Sequence, residues 1–149
     1  MKTLLKAVQN ALKAGLTETR DCDVFITPDE MHLPDAVKSP AIGIKDNGVR
    51  RKELAGRMVE VVRSVKIIPW VQMIKEETAV LGNWAAGQPG VLDLSEKIQF
   101  LLDEDLLGLA GCTEAFGEND GASETAFTTD AAWQRQELVF NYTFEEERP

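Results

Sequence analysis

Chemistry needs side chains that can ionise, attack or ligate, and this chain gathers few of them together. Asp29-Glu30 and Glu76-Glu77 are adjacent carboxylate pairs. Neighbours on a strand point to opposite faces, so neither pair can serve one substrate as general acid and base. Asp103-Glu104-Asp105 could attract a divalent cation, but the residues around it lack the oxygen-ligand spacing of a calcium loop. His32 is the single histidine, and Cys22 and Cys112 are the only cysteines, far apart in sequence. They build no Cys-His pair, zinc spacing or disulfide framework. Gly82, Gly87 and Gly90 lack the strand, turn and lysine of a phosphate-binding loop. No serine elbow occurs. The reading is a protein that is not an enzyme, with no cofactor and no bound metal.

Three features suit contact rather than catalysis. Arg50, Arg51 and Lys52 form a basic cluster after Asp46-Asn47-Gly48, a turn signal because asparagine and glycine tolerate positive φ. The cluster is either a solvated hairpin arm or a surface for an acidic neighbour or nucleic-acid phosphate. Trp84, between Gly82 and Gly87, either folds back onto the core or anchors an interface. Asp103, Glu104 and Asp105 fall in the last turns of an expected helix, where carboxylates oppose the negative end of the dipole. Keeping them there implies exposure or a basic surface opposite. These seven residues are the candidate subunit or partner contacts.

A chain of 149 residues is one domain, 1–149, by its length. Its net charge of -9 argues against a general nucleic-acid binder, which needs a basic face to displace phosphate counterions. The spaced apolar residues at the N-terminus do not make a signal peptide, and no run reaches the ~20 apolar residues of a membrane span. A reducing, cytoplasm-like compartment and no membrane partner are expected.

The elements that would position these residues centre on 58–74, MVEVVRSVKIIPWVQMI. Val59, Val61, Val65 and Ile67 share one face of a long strand, with Arg63 interrupting it and Pro69 marking a bulge, bend or edge. Residues 3–14 are an amphipathic helix with Leu4, Leu5, Val8, Ala11 and Leu12 on one side and Gly15 as its terminator. Residues 22–27 and 40–45 are strands, separated by a loop over 29–39. Residues 74–90 are too irregular for a helix. Residues 91–107 are a helix capped by Asp93 and Glu96, with Leu94, Ile98, Leu101 and Leu102 on its apolar face and Gly108 and Gly111 beyond its end. Residues 112–116 could be a short strand, 117–130 a mobile acidic loop, and 134–147 a last strand opened by Trp133. In it Leu138, Phe140, Tyr142 and Phe144 alternate with Val139, Asn141, Thr143 and Glu145, before a solvated tail of Glu145, Glu146 and Glu147. The expected class is α+β, one mostly antiparallel sheet with two helices on one face. The second face and the sheet edges would then be open to other copies of the chain.

The helix LLKAVQNALKAGL, the strand VFITPDE, PAIGIKD, the long strand VEVVRSVKIIPWVQ, the helix GVLDLSEKIQFLLDEDLLGL and the closing strand WQRQELVFNYTFEEE together resemble the tail terminator, or tail completion, proteins of long-tailed bacteriophages, the group related to minor tail protein U. The resemblance covers most of the chain in element order and rests on packing patterns. It implies a structural virion protein of the tail or neck, assembled in the host cytoplasm. It implies a homo-hexameric ring that caps the tail tube, ends its elongation and offers the head-tail joining surface. The implied partners are self, the tail tube protein and a connector or neck protein, with DNA only as cargo passing through the lumen. Another neck, head-completion or connector protein of a phage particle, or a stand-alone small binding module, remain as alternatives.

Overall fold

The computed structural model describes residues 1–119 and 121–148, and for Trp84 the backbone alone. It is an α+β structure in which one seven-stranded, mostly antiparallel sheet is organised on β3, Met58–Gln72. β2, Ala41–Glu53, runs antiparallel to β3 along nearly its whole length. The other side of β3 is divided. Its first ten residues pair with β7, Leu138–Glu147, and Trp70, Val71 and Gln72 pair with β6, Ala132–Arg135. Pro69 falls at the fork between those two partners, and its carbonyl accepts the Gln136 N–H at 3.3 Å. A residue with no N–H is tolerated where a ladder is interrupted, so the fork explains a proline in an internal strand. β1, Val24–Ile26, lies parallel beside β2. β4, Cys112–Gly117, flanks β7, and β5, Glu124–Phe127, flanks β6.

Period-two alternation sends Val59, Val61, Val65 and Ile67 to one face, where they meet Phe140, Tyr142 and Phe144 of β7. Two helices cover this face. α1, Lys2–Gly15, contributes Leu4, Val8 and Leu12, and α3, Val91–Leu102, contributes Ile98 and Leu102. Arg63 shares the face but reaches its edge, 2.7 Å from Glu146 and 4.5 Å above the Phe144 ring. The opposite face carries a smaller core of Ala41, Ile68, Trp70, Ala126 and Trp133, covered by Leu33 and Val37 of the 29–39 loop. That half of the second face is therefore closed, contrary to the expectation that the whole face is free.

Several expectations need correction. Gly15 ends α1 without a left-handed turn: it is helical, and Leu16 after it is extended (φ -101°, ψ 106°). Its lack of a side chain serves the α1–α3 contact, where a Cβ would stand 2.6 Å from Leu101 Cδ1. The first strand starts two residues late, because Asp21–Asp23 forms a 3-10 turn. The strand expected to stop at Lys45 continues to Glu53. Asp46-Asn47-Gly48 makes a bulge, with Gly48 at φ 97°, and the chain reverses only between Leu54 and Met58. Residues 74–90 hold a helix after all, α2, Glu76–Leu81, too short for a period to be visible. The 117–130 loop contains β5, and Asp120 within it lies outside the described residues. The closing strand is two strands, broken at Gln136 and Glu137, and the expected acidic tail belongs to β7.

Asp23 ties the 3-10 turn down. It is 2% exposed and accepts hydrogen bonds from Arg20 at 2.7 and 3.0 Å and from the Lys38 N–H at 3.0 Å. Burial raises its pKa, but the Arg20 and Lys38 bonds outweigh burial and leave it below the usual aspartate value. A carboxylate whose folded pKa is depressed adds stability above its unfolded pKa, near 4, and that stability fades as pH falls through the folded value. Asp23→Asn should therefore lower the thermal midpoint at pH 7 and narrow its deficit against wild type as pH drops from about 5 to 2. A deficit that is constant with pH would remove this ion pair from the account of acid stability.

Candidate interaction surface

The basic cluster stands on the outer half of β2, beyond the bulge. β1 pairs only with residues 42–44, so from Lys45 to Glu53 β2 has no second strand neighbour among the described residues. Val49 in this stretch is 49% exposed, and Arg50, Arg51 and Lys52 are exposed as well. The three cations form no ion pair with a described residue. Other cations of the sheet behave differently: Lys66 pairs with Glu137 at 2.9 Å, and Arg63 with Glu146 at 2.7 Å. A strand edge with unpaired backbone groups is a ready template for another chain, and positive charge is a common means of restricting which chain that is. The cluster is thus part of a strand and not a loose arm, because the bulge keeps β2 in register with β3 as far as Glu53.

The acidic candidates do not sit in the last turns of a helix. α3 ends at Leu102 and not at Leu107, since Asp103 is already extended and Glu104 is left-handed at φ 62°. The helix start is also shifted: Gly90 is the N-cap residue, and Asp93 accepts its N–H at 3.0 Å. Asp103 is the C-cap residue and still meets the negative end of the dipole, whereas Glu104 and Asp105 lie beyond the helix. They border β4. Asp103 Oδ1 accepts the Gly117 N–H at 3.2 Å, and the Glu104 N–H donates to the Ala115 carbonyl at 3.2 Å. This loop covers the edge that β4 would otherwise expose. Asp105 accepts the Leu107 N–H at 2.9 Å. Glu104 and Asp105 are exposed, as is Glu114 on β4. None of these carboxylates forms an ion pair with a described residue.

Basic and acidic candidates thus occupy opposite edges of one half of the sheet, in the order β2-β3-β7-β4. The register joins them. Arg50 pairs with Val62, Val62 with Thr143, and Thr143 with Glu114. The adjacent row runs from Arg51 through Val61 and Phe144 to Cys112. Three strand spacings are about 14 Å, beyond the ~8 Å screening length at physiological salt, so the two edges do not neutralise each other within one chain. Sequence reading missed Glu114 and the half-exposed Phe116 beside it. The available signal was the alternation of β4, in which Ala115 turns to the core and its neighbours turn out.

The side chain of Trp84 lies outside the described residues, so its proposed anchoring role has no geometry here. A cleft of about 470 Å³ lies nearby between the 87–89 segment and α3, lined by Glu18, Gln88, Asp93, Lys97 and Phe100. Glu18 and Lys97 pair across it. Burial raises the Glu18 pKa, but the Lys97 hydrogen bond and charge, together with backbone N–H bonds, outweigh it and the net shift is downward, which favours the ionised carboxylate. An acid locked onto a lysine in this way is not poised to carry protons. Among the described residues no group of three or more His, Cys, Asp or Glu side chains could hold a metal ion. No described helix is long and apolar enough to cross a membrane. Neither protein-family models nor curated protein sequences match this chain.

Proposed function

We propose that this chain is a structural virion protein of the tail-terminator type, assembling as a ring that caps a tail tube, ends its elongation and offers a surface for joining the head. The observation that carries the reading is the outer half of β2: a free strand edge bearing Arg50, Arg51 and Lys52 without ion-pair partners among the described residues. The seven-stranded sheet, with α1 and α3 on one face, supports it: the segments that carry the resemblance follow one another as helix, strand, strand, long strand, helix and closing strands, with α2 and β5 added and the closing strand divided. The net charge of -9 supports a lumen through which DNA passes without sticking, since like charges repel. The other partners in this reading are the tail tube protein on one side of the ring and a connector or neck protein on the other.

Native mass spectrometry of the purified 16.5 kDa chain tests it first, with a ring of like copies, six by the resemblance, as the expected species. Electron microscopy of polymerising tube protein tests it second. Added ring should hold tubes at a limited length and be found at their ends. A chain that stays single at high concentration and leaves tube growth unchanged overturns the reading.

A further inference from the structure

We propose that copies of this chain join head to tail, the basic β2 edge of one docking on the acidic rim beside β4 of the next. This deepens the ring reading and rests on it. Three observations carry it. β2 is unpaired on its outer side from Lys45 to Glu53 among the described residues, and it carries Arg50 and Arg51 there. Glu104, Asp105 and Glu114 stand exposed at the opposite edge of the same four strands. Arg50 and Glu114 stand at opposite ends of one cross-sheet row, so a second copy set beside the first brings Arg50 of one toward Glu114 and the Glu104-Asp105 loop of the other, side chain to side chain, since that loop already covers the β4 edge.

Each edge also carries one exposed apolar side chain, Val49 at 49% on β2 and Phe116 at 54% on β4. An apolar centre ringed by charge is the usual build of a protein interface. The two edges differ in kind. β2 leaves backbone groups free, whereas the Asp103-Glu104 loop already occupies those of β4. Like edges therefore gain little from meeting: two β2 edges repel, and two β4 rims repel. The contact is heterologous, which produces a closed ring when the rotation per copy divides the circle.

Two variants test the joint. Arg50→Glu with Arg51→Glu makes both edges acidic. Glu104→Lys with Glu114→Lys makes both basic, at positions whose side chains hold no hydrogen bond to a described residue. Circular dichroism and thermal midpoint first establish that each is folded. At a concentration where wild type runs as a ring, each variant alone should run at single-chain mass. A one-to-one mixture should return to ring mass, because every joint then sets an acidic edge against a basic one. Variants that each keep the wild-type mass, or a mixture of folded variants that stays single, overturn the joint while the ring reading stands. So does an edge variant that keeps its ring but no longer binds tube protein, which would assign the cations to that partner. A wild-type chain that never assembles overturns both.

Discussion

Replacing both Glu124 and Glu137 by glutamine is expected to cost about 3–5 kcal/mol, more than replacing the arginine they serve. Arg135 is 0% exposed. Its guanidinium donates to Glu124 and, at 3.3 Å, to Glu137, and its other terminal nitrogen donates to the Glu30 carbonyl at 2.8 Å. It lies 4.9 Å from the centre of the Trp70 ring. The double glutamine variant keeps the buried cation and removes both of its counter-charges. Arg135→Met instead removes the charge and leaves an apolar stem of similar length against Trp70. The carboxylates left behind are not stranded, since Glu124 is 55% exposed and Glu137 keeps Lys66 at 2.9 Å. Urea unfolding of both variants gives the comparison. A methionine variant as damaged as the double glutamine variant would mean that the guanidinium's own bonds outweigh the cost of its burial.

Gly90→Ala should cost about 2–3 kcal/mol, from overpacking against a backbone that cannot retreat. A Cβ there would stand 2.3 Å from the Val80 carbonyl oxygen and 2.4 Å from the Gly82 nitrogen. This is where the end of α2 crosses the start of α3, and Asp93 caps α3 through the Gly90 N–H. At Gly87, where φ is 66°, an added Cβ would meet nothing within 4 Å. Gly87→Ala should therefore carry only the left-handed penalty of about 1–2 kcal/mol. Amide exchange should show the difference as well, with faster exchange across Glu76–Leu81 in the Gly90 variant alone. Gly90 itself sits at an ordinary φ of -86°, so a Gly90 cost no larger than that at Gly87, with unchanged exchange across α2, would remove the crossing as its source.

The long alternating segments were legible because their pattern repeats often enough to define a period. Val59 to Ile67 and Leu138 to Phe144 each present four or more apolar positions on one side, and the helices supply Leu4, Val8 and Leu12 or Leu94, Ile98 and Leu102. The short elements were not. β5 has four residues and a single buried one, Ala126, and α2 has six and a single buried one, Ala79. One buried residue defines no period. Asp46-Asn47-Gly48 misled for a different reason: a hairpin turn and a bulge both use a positive-φ glycine, and only the strand across from it separates them. Of the candidate contacts, Arg50, Arg51 and Lys52 were legible as charge but not as a strand edge, because an edge is a property of what pairs beside it. Arg135 gave no signal at all, since nothing in its neighbours distinguishes a buried arginine from a solvated one.

β3 is bonded to β7 in one half of the sheet and to β6 in the other, and it runs from the basic hairpin to the far end, about 50 Å at the usual rise per residue. Tension applied at the hairpin therefore travels along covalent backbone. It loads the β2 and β7 ladders lengthwise, so that their hydrogen bonds share the strain and do not open one after another. Pro69 stands where that path passes from one neighbour to the next. A chain built this way is stiffest along the line from hairpin to fork, the direction in which pulling on one end would be felt at the other.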